Sequence, residues 1–174
     1  EGGDAALQLN VNPGRALREA LEHPERVDDL LLERAVVKVS DRLGVLASLE
    51  PFKDPLVARE GAVMPLLEKL RARFRYVLVD LPHWAGLTFP RLLNEANVLV
   101  LVGDSSLAAV RDLGRWREQI APSAPEHSVW HVLNKAGAPG GLSMEECAEA
   151  IGQEFDAVVR FDPHVAKSGN VGHP

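Results

Sequence analysis

The chain has 174 residues, of which 46% are hydrophobic and 25% charged, enough for one compact domain with its own core. Its formal net charge of −6 argues against a protein whose whole surface is built to bind nucleic acid. The single cysteine, Cys147, excludes an internal disulfide framework and fits a reducing cytoplasm.

The first third of the chain predicts helices and one weak strand. Residues 14–24 and 26–35 are typical of two short helices, and 43–47 is a weak strand candidate. Over 61–74, apolar residues recur at spacings of three and four, which predicts an amphipathic helix. The basic residues near its end, Lys69, Arg71, Arg73 and Arg75, alternate with other residues and indicate a solvated helix end.

Three later segments are short and continuously apolar: 76–80, 98–102 and 129–133, with a weaker candidate at 156–160. Continuous apolar character predicts strands that are buried on both faces, as in a parallel sheet between layers of helices. The longest of these runs is far too short to span a membrane as a helix.

Helical patterns separate these strands at 106–120 and 143–151. Ser143 and Glu146 have the spacing of a capping box, and Gly152 is placed to end the second helix. A short helix capped by Thr88 is expected to run through Ala96. Alternating strands and helices predict a three-layer α/β/α sandwich with a mostly parallel sheet, and 134–143 reads as a surface loop within it.

Ligands of open α/β sheets bind beyond the carboxyl ends of the strands, and polar residues stand at three such ends. Asp80 follows 76–79, where its carboxylate fits either a Mg²⁺ bound to nucleotide phosphates or a hydrogen-bonded turn. Asn134 follows 129–133, where its amide fits either the N6/N7 edge of adenine or a turn. Asp162 precedes Pro163, a pair that starts a helix and is compatible with a place beside a bound base.

Other site chemistries are not supported by the sequence. The six histidines are dispersed without metal-ligand spacing. His131 is predicted to be a core residue. His83 is predicted to be an exposed neighbour of Asp80, and the sequence does not favour a catalytic role for it. Ser105 and Ser106 lack the G-x-S-x-G frame of a hydrolase nucleophile.

The order of these segments resembles the C-terminal two-thirds of the ParA/MinD family of deviant-Walker ATPases, and within it the CpaE/TadZ pilus-assembly branch. The resemblance extends over residues 1–174 and rests on "RYVLVDLP", "NVLVLVGDSSLAAVRDLGR", "VWHVLNKAG" and "VVRFDPHVAKSGNVG". It implies a P-loop NTPase fold of the MinD type, a single domain, and a receiver-like domain upstream.

The resemblance also implies roles for individual residues. Asp80 would be the Walker B residue and hold Mg²⁺ through water. Asn134 would read the adenine of ATP or ADP, flanked by Lys135. The other side of the base would be lined by Phe161, Asp162 and Pro163. Arg111 and Asp112 would lie on a helix near the dimer face.

The family's P-loop, K-G-G-x-G-K-[ST], is missing from these 174 residues. The chain also opens on Glu1, so we expect a fragment whose N-terminal strand and P-loop precede it. Without the loop's backbone N–H groups and lysine, this chain alone is predicted to be inactive. The strand that carries the loop would be central, so its absence would expose an unpaired sheet edge.

Two functions remain open. The first is an ATP-dependent switch that dimerises and positions a type IV (Flp/Tad) pilus or secretion machine. It would be cytoplasmic or peripheral to the inner membrane at a cell pole, with no specific nucleic acid. The second is a non-enzymatic polar scaffold with a degenerate nucleotide site. An unrelated flavodoxin-like or receiver domain is a third reading, although residues 1–10 do not supply a receiver's acidic cluster convincingly.

Overall fold

The computed structural model of the chain describes residues 5–48, 53, 56, 58, 60–82, 90–120 and 129–170. The chain divides into two compact units. Unit 1 comprises residues 1–92 together with 165–174, and unit 2 comprises residues 93–164. The expectation of a single domain over 1–174 stays a prediction.

Unit 1 is mainly helical in its described part. Its elements are α1 (Ala5–Gln8), α2 (Ala16–Glu22), a 3₁₀ turn (Pro24–Arg26), α3 (Asp29–Ala35), β1 (Val37–Lys38), β2 (Gly44–Val45) and α4 (Glu60–Arg73), followed by α5 (Pro90–Asn94), which reaches the start of unit 2. Ala20, Val27, Leu32 and Leu66 form one buried cluster of this unit. The helices expected at 14–24, 26–35 and 61–74 are therefore confirmed.

The weak strand candidate at 43–47 forms only β2, which pairs antiparallel with β1 in a two-stranded hairpin. Its partner is a neighbour in sequence, so this strand does not belong to the parallel sheet. The short helix expected after Thr88 is present as α5, although Thr88 itself lies outside the described residues.

The strand predicted at 76–80 is wrong as a sheet strand, since the described residues 76–80 pair with no other described segment. Val77 and Leu81 pack against a cluster of Met64, Leu67 and Leu92. On the other side, Tyr76 is 77% exposed and Leu78 is 91% exposed. The segment thus has one buried side, which differs from the burial on both faces that its apolar run predicted.

Unit 2 contains a three-stranded parallel sheet in the order β3-β4-β5. The elements are β3 (Leu99–Asp104), α6 (Leu107–Ile120), β4 (Val129–Ala136), α7 (Met144–Ile151), β5 (Ala157–Arg160) and α8 (Pro163–Asn170), the last of which continues into unit 1. Each consecutive pair of strands is joined through a helix, which is how parallel neighbours are connected. The α/β fold class is confirmed.

One face of this sheet packs against α6 and α7. Leu133 and Cys147 are fully buried there together with Val110, Leu113 and Ile151. At Gly103, an added Cβ would lie 2.6 Å from Leu113 Cδ1, so the helix approaches the strand backbone more closely than a side chain allows. On the opposite face, Val100, Val102 and Trp130 are exposed, so the prediction that these strands are buried on both faces is wrong, and their apolar runs are covered on one face only.

The helix predicted at 143–151 is confirmed with its predicted ends. Ser143 Oγ accepts a hydrogen bond from Glu146 N at 3.1 Å, and Glu146 Oε2 accepts one from Ser143 N at 2.7 Å. Gly152 ends the helix with a φ of 71°, a left-handed conformation that costs glycine little. Leu142 packs against the cluster that contains Cys147.

Candidate functional site

The carboxyl ends of the three parallel strands meet at one edge of the unit 2 sheet, here called the carboxyl edge. Asp104 ends β3 and is the register partner of Asn134 on β4. Asp162 follows β5 by two residues. Because the strands are parallel, polar groups from all three reach the same edge, where α/β proteins bind ligands.

Asn134 and Lys135 lie within β4, which continues three residues beyond the strand that the sequence predicted. Asn134 Oδ1 accepts a hydrogen bond from Lys135 N at 2.9 Å, and Lys135 has a φ of 54°. This left-handed residue falls where the β4–β5 register shifts, between Leu133 and Ala136. The contact fixes the amide, and its NH₂ group and the second lone pair of Oδ1 remain as donor and acceptor.

The segment after β5 is joined to the end of β4. Phe161 N donates to Ala136 O at 2.9 Å, so the backbone of Phe161 lies at the carboxyl edge. Phe161 is 41% exposed. Asp162 Oδ1 accepts from His164 N at 2.8 Å and contacts His164 Nδ1 at 2.9 Å. These two bonds, the backbone one first, hold the pKa of Asp162 below its ordinary value. Pro163 is the first residue of α8.

The carboxyl edge also contains Asp104, which the sequence reasoning missed. Hydrogen bonds from Ser106, side chain first and backbone second, lower the pKa of Asp104, and the charge of Lys135 adds to the effect. Ser106 N donates to Asp104 Oδ1 at 2.9 Å. The signal was available, because the apolar run at 98–103 ends in this aspartate in the same way that 76–79 ends in Asp80.

The predicted loop at 134–143 is confirmed beyond Ala136 and packs against the turn after β3. Leu142 N donates to Ser105 O at 2.8 Å, and Ser105 is buried. Gly137 and Gly140 have φ values of 79° and 76°, which glycine adopts at little cost. The loop therefore holds the β3 and β4 ends of the carboxyl edge together.

Asp80 lies in unit 1, exposed, in the segment that forms no strand among the described residues. Its place beside Asn134 therefore stays a prediction, and so does its role toward Mg²⁺. His83 lies outside the described residues. Within the described ranges, no group of three or more His, Cys, Asp or Glu side chains is arranged to hold a metal ion.

Arg111 and Asp112 lie on the exposed surface of α6. Asp112 Oδ1 lies 3.6 Å from Arg111 Nε and 3.6 Å from Arg115 Nη1. The side chains of Arg111 and Asp112 are 62% and 50% exposed, so both charges are accessible to another molecule. Exposed pairs of this kind contribute little to stability.

The sequence matches no protein-family model, and no curated protein matches it. The part of the chain that the structure describes contains no helix long and apolar enough to cross a membrane.

Two solved structures resemble this one over almost its whole length. The ParA family ATPase from Chlorobium tepidum TLS aligns with a TM-score of 0.75 and 18% identity, over 98% of this chain and 72% of that one. The MinD cell division protein from Aquifex aeolicus aligns with a TM-score of 0.73 and 19% identity, over 97% of this chain and 70% of that one. The chain therefore has the α/β fold of the ParA and MinD ATPases.

Proposed function

We propose that this chain is the base-binding part of a nucleotide-dependent switch of the ParA/MinD type, which binds and hydrolyses ATP with Mg²⁺. The observation that carries the proposal is the carboxyl edge, where the hydrogen bond from Phe161 N to Ala136 O joins the end of β4, which carries Asn134, to the segment after β5, in a fold shared with two ATPases. Ligands of open α/β sheets bind at this edge.

In this proposal Asn134 reads the adenine. Its amide is fixed by the bond from Lys135 N, and a fixed amide with one donor and one acceptor matches the N6 and N7 atoms of adenine. Phe161 lines the other side of the base together with Asp162 and Pro163, and aromatic rings stack well on bases. The proposed roles of these side chains match the hydrogen-bonding and stacking chemistry of an adenine.

Asp80 would hold the Mg²⁺ through water, and the metal would neutralise charge on the phosphates. The described structure gives Asp80 no hydrogen bond or ion pair of its own, which suits a carboxylate that engages a ligand. A phosphate-binding K-G-G-x-G-K-[ST] loop does not occur in residues 1–174. We therefore propose that these residues alone do not hydrolyse ATP.

The biological setting follows from the resemblance to the CpaE/TadZ branch. The intact protein would form a homodimer when ATP is bound, with Arg111 and Asp112 of α6 near the dimer face. Hydrolysis would release the dimer, so the nucleotide would shift a population between two states. The switch would position a type IV (Flp/Tad) pilus or secretion machine, from the cytoplasm or peripherally at the inner membrane of a cell pole.

A non-enzymatic polar scaffold with a degenerate nucleotide site is the second candidate. A scaffold would use the same dimer face and the same pilus or secretion partners without turning over nucleotide. Calorimetric titration of the full-length protein with ATP and Mg²⁺ separates the two. Binding with slow release of phosphate supports the switch, and no binding supports the scaffold.

Asn134→Ala tests the reading of the base. The substitution removes a bidentate contact that contributes about 1–3 kcal/mol, so we expect ATP affinity to fall about tenfold or more. Asn97→Ala is the matched control, because Asn97 is an exposed amide that precedes β3 and therefore lies toward the opposite edge of the sheet. Equal losses in the two variants would contradict the assignment.

Asp80→Asn tests the metal role. The amide keeps the shape of the carboxylate and removes its charge, so Mg²⁺ should no longer strengthen ATP binding in this variant. Asp41→Asn is the control, since Asp41 is an exposed carboxylate of unit 1 that pairs with Lys38 at 2.9 Å. ATP affinity should be measured with and without Mg²⁺ in each variant, and an unchanged Mg²⁺ effect in Asp80→Asn would refute the role.

A further inference from the structure

His131 is a buried titratable residue that the proposed nucleotide site does not use. It lies on β4 with 4% of its surface exposed, on the face that packs against α6 and α7. It stands three residues before Asn134, toward the amino end of the strand. Burial of an ionisable ring is costly unless the ring stays neutral or is fully paired.

The contacts of His131 connect β4 to the segment that leads into β5. His131 N donates to Asp156 Oδ2 at 2.6 Å, and Asp156 N donates to His131 O at 2.9 Å. The ring atom Nδ1 contacts Gln153 Nε2 at 2.5 Å. We call His131, Gln153 and Asp156 the β4–β5 joint.

The other ring nitrogen, Nε2, is buried and has no hydrogen-bond partner among the described residues. If the Gln153 amide donates to Nδ1, the neutral ring carries its proton on Nε2. If the amide is turned over, Nδ1 donates and Nε2 is an empty acceptor. In either arrangement, a protonated ring would present an N–H donor at Nε2 with no described acceptor.

Two charged groups near the His131 ring have opposite effects on its pKa. Asp156, from the segment before β5, lies with Oδ2 3.7 Å from Nδ1 and favours the protonated ring. Arg117, from α6, disfavours it, and its Nη1 donates to Ile151 O at the end of α7 at 2.5 Å. Burial acts more strongly than either charge, and the pKa of His131 is lowered from its ordinary value.

We propose that the β4–β5 joint is an acid-sensitive device, in which protonation of His131 releases the edge strand β5 from β4 while the rest of the sheet persists. Opening exposes the ring to water, where it accepts a proton readily. Within the part of the chain that the structure describes, β5 is an edge strand with β4 as its one neighbour, so its release breaks a single ladder there. The proposal does not depend on nucleotide binding.

The sign and size of the effect follow from linkage. In the closed state, the pKa of His131 is lowered and the ring stays neutral. In the open state, the ring titrates near its ordinary pKa of about 6.5. Stability of the joint is therefore complete above pH 6.5 and is lost as the pH falls below it. Between pH 7.5 and 5.5, the opening equilibrium of β5 should rise by up to about tenfold.

Amide hydrogen exchange by NMR tests the proposal on the whole chain. The amides to follow are Asp156 N and Phe161 N, which both donate to carbonyls of β4, with rates corrected for intrinsic exchange at each pH. Between pH 7.5 and 5.5, we expect the opening equilibrium to rise by more than about twofold and up to about tenfold in the native chain, and by less than about twofold in His131→Gln. His23→Gln is the control, because it removes an exposed histidine from unit 1 and should keep the full pH effect.

Titration of the His131 ring by NMR in the native chain provides a second measurement that does not require the variant to fold. A pKa below 6.5 in the folded chain supports the proposal, and a pKa at or above 6.5 overturns it. The proposal would also be overturned if the opening equilibrium of β5 rose as much in His131→Gln as in the native chain.

Discussion

Two segments of this chain share a sequence pattern and differ in structure. Residues 76–80 and residues 98–104 are both apolar runs that end in an aspartate. The second forms β3, which pairs with β4 in register over six residues, from Leu99↔Val129 to Asp104↔Asn134. The first pairs with no described segment and buries one side only.

The difference shows that a strand is decided by its neighbours as much as by its own residues. Both runs have the apolar, β-branched composition that suits a pleated surface. Among the described residues, both runs have one covered side, β3 against α6 and α7 and 76–80 against Met64, Leu67 and Leu92, but only β3 has a partner strand. How deeply a residue of such a run is buried therefore depends on elements distant in sequence. Substitutions measure this dependence through the free energy of unfolding.

Leu133→Ala should have the largest effect on stability. Leu133 lies on β4 at the centre of the unit 2 cluster and is 0% exposed, so its truncation leaves a cavity. We expect a loss of about 2–5 kcal/mol in the free energy of unfolding, measured by urea denaturation. Leu78→Ala, in the unpaired run, should change the same quantity by less than about 0.5 kcal/mol.

A loss at Leu78 comparable to that at Leu133 would mean that 76–80 is covered as β3 is. That result would contradict the 91% exposure of Leu78. The two variants remove the same atoms, so only the environment of each leucine distinguishes them.

Much of unit 2 could be predicted from the sequence because its signals are local. The capping box of Ser143 and Glu146 and the stop at Gly152 depend on residues within one helix. The parallel sheet followed from alternating apolar runs and helices. The extent of β4 was missed, since its last residues, Asn134–Ala136, are polar or small and are held by pairing with β5.

The candidate site was only partly predictable. Asn134 and Asp162 could be placed at strand ends because parallel strands point the same way. Asp104 was missed, although it ends a run like that of Asp80, because the expected nucleotide site needed one carboxylate. The bond from Phe161 N to Ala136 O joins residues 25 positions apart, and no local pattern encodes it.

Gly103→Ala tests how tightly α6 covers β3. The added Cβ would lie 2.6 Å from Leu113 Cδ1 and 2.9 Å from Leu113 Cγ, so the Leu113 side chain or the helix that carries it must shift. We expect a loss of about 1–3 kcal/mol in the free energy of unfolding. Gly114→Ala, on α6 itself, meets nothing within 4 Å and should instead stabilise by about 0.5–1 kcal/mol. Matching signs in the two variants would contradict the close approach.

Ser143→Ala should have the smallest effect of the destabilising core and cap variants. It removes the side-chain half of the capping box at the start of α7, one of the two helices that cover β3 and β4. The loss of a serine cap costs about 1 kcal/mol, measured by urea denaturation. Ser143→Thr keeps the hydroxyl and should retain most of the stability.

The variant Ser143→Ala should also change the pKa of Glu146. Hydrogen bonds from Ser143, backbone first and side chain second, lower the pKa of Glu146 below 4.5. Because the folded pKa is depressed, this contribution to stability is present above pH 4.5 and is lost as the pH falls through the folded value. In Ser143→Ala the pKa of Glu146 should rise toward 4.5, as NMR titration would report. An unchanged pKa would show that the bond from Ser143 N alone holds the carboxylate, and that the hydroxyl contributes to the helix only as a cap.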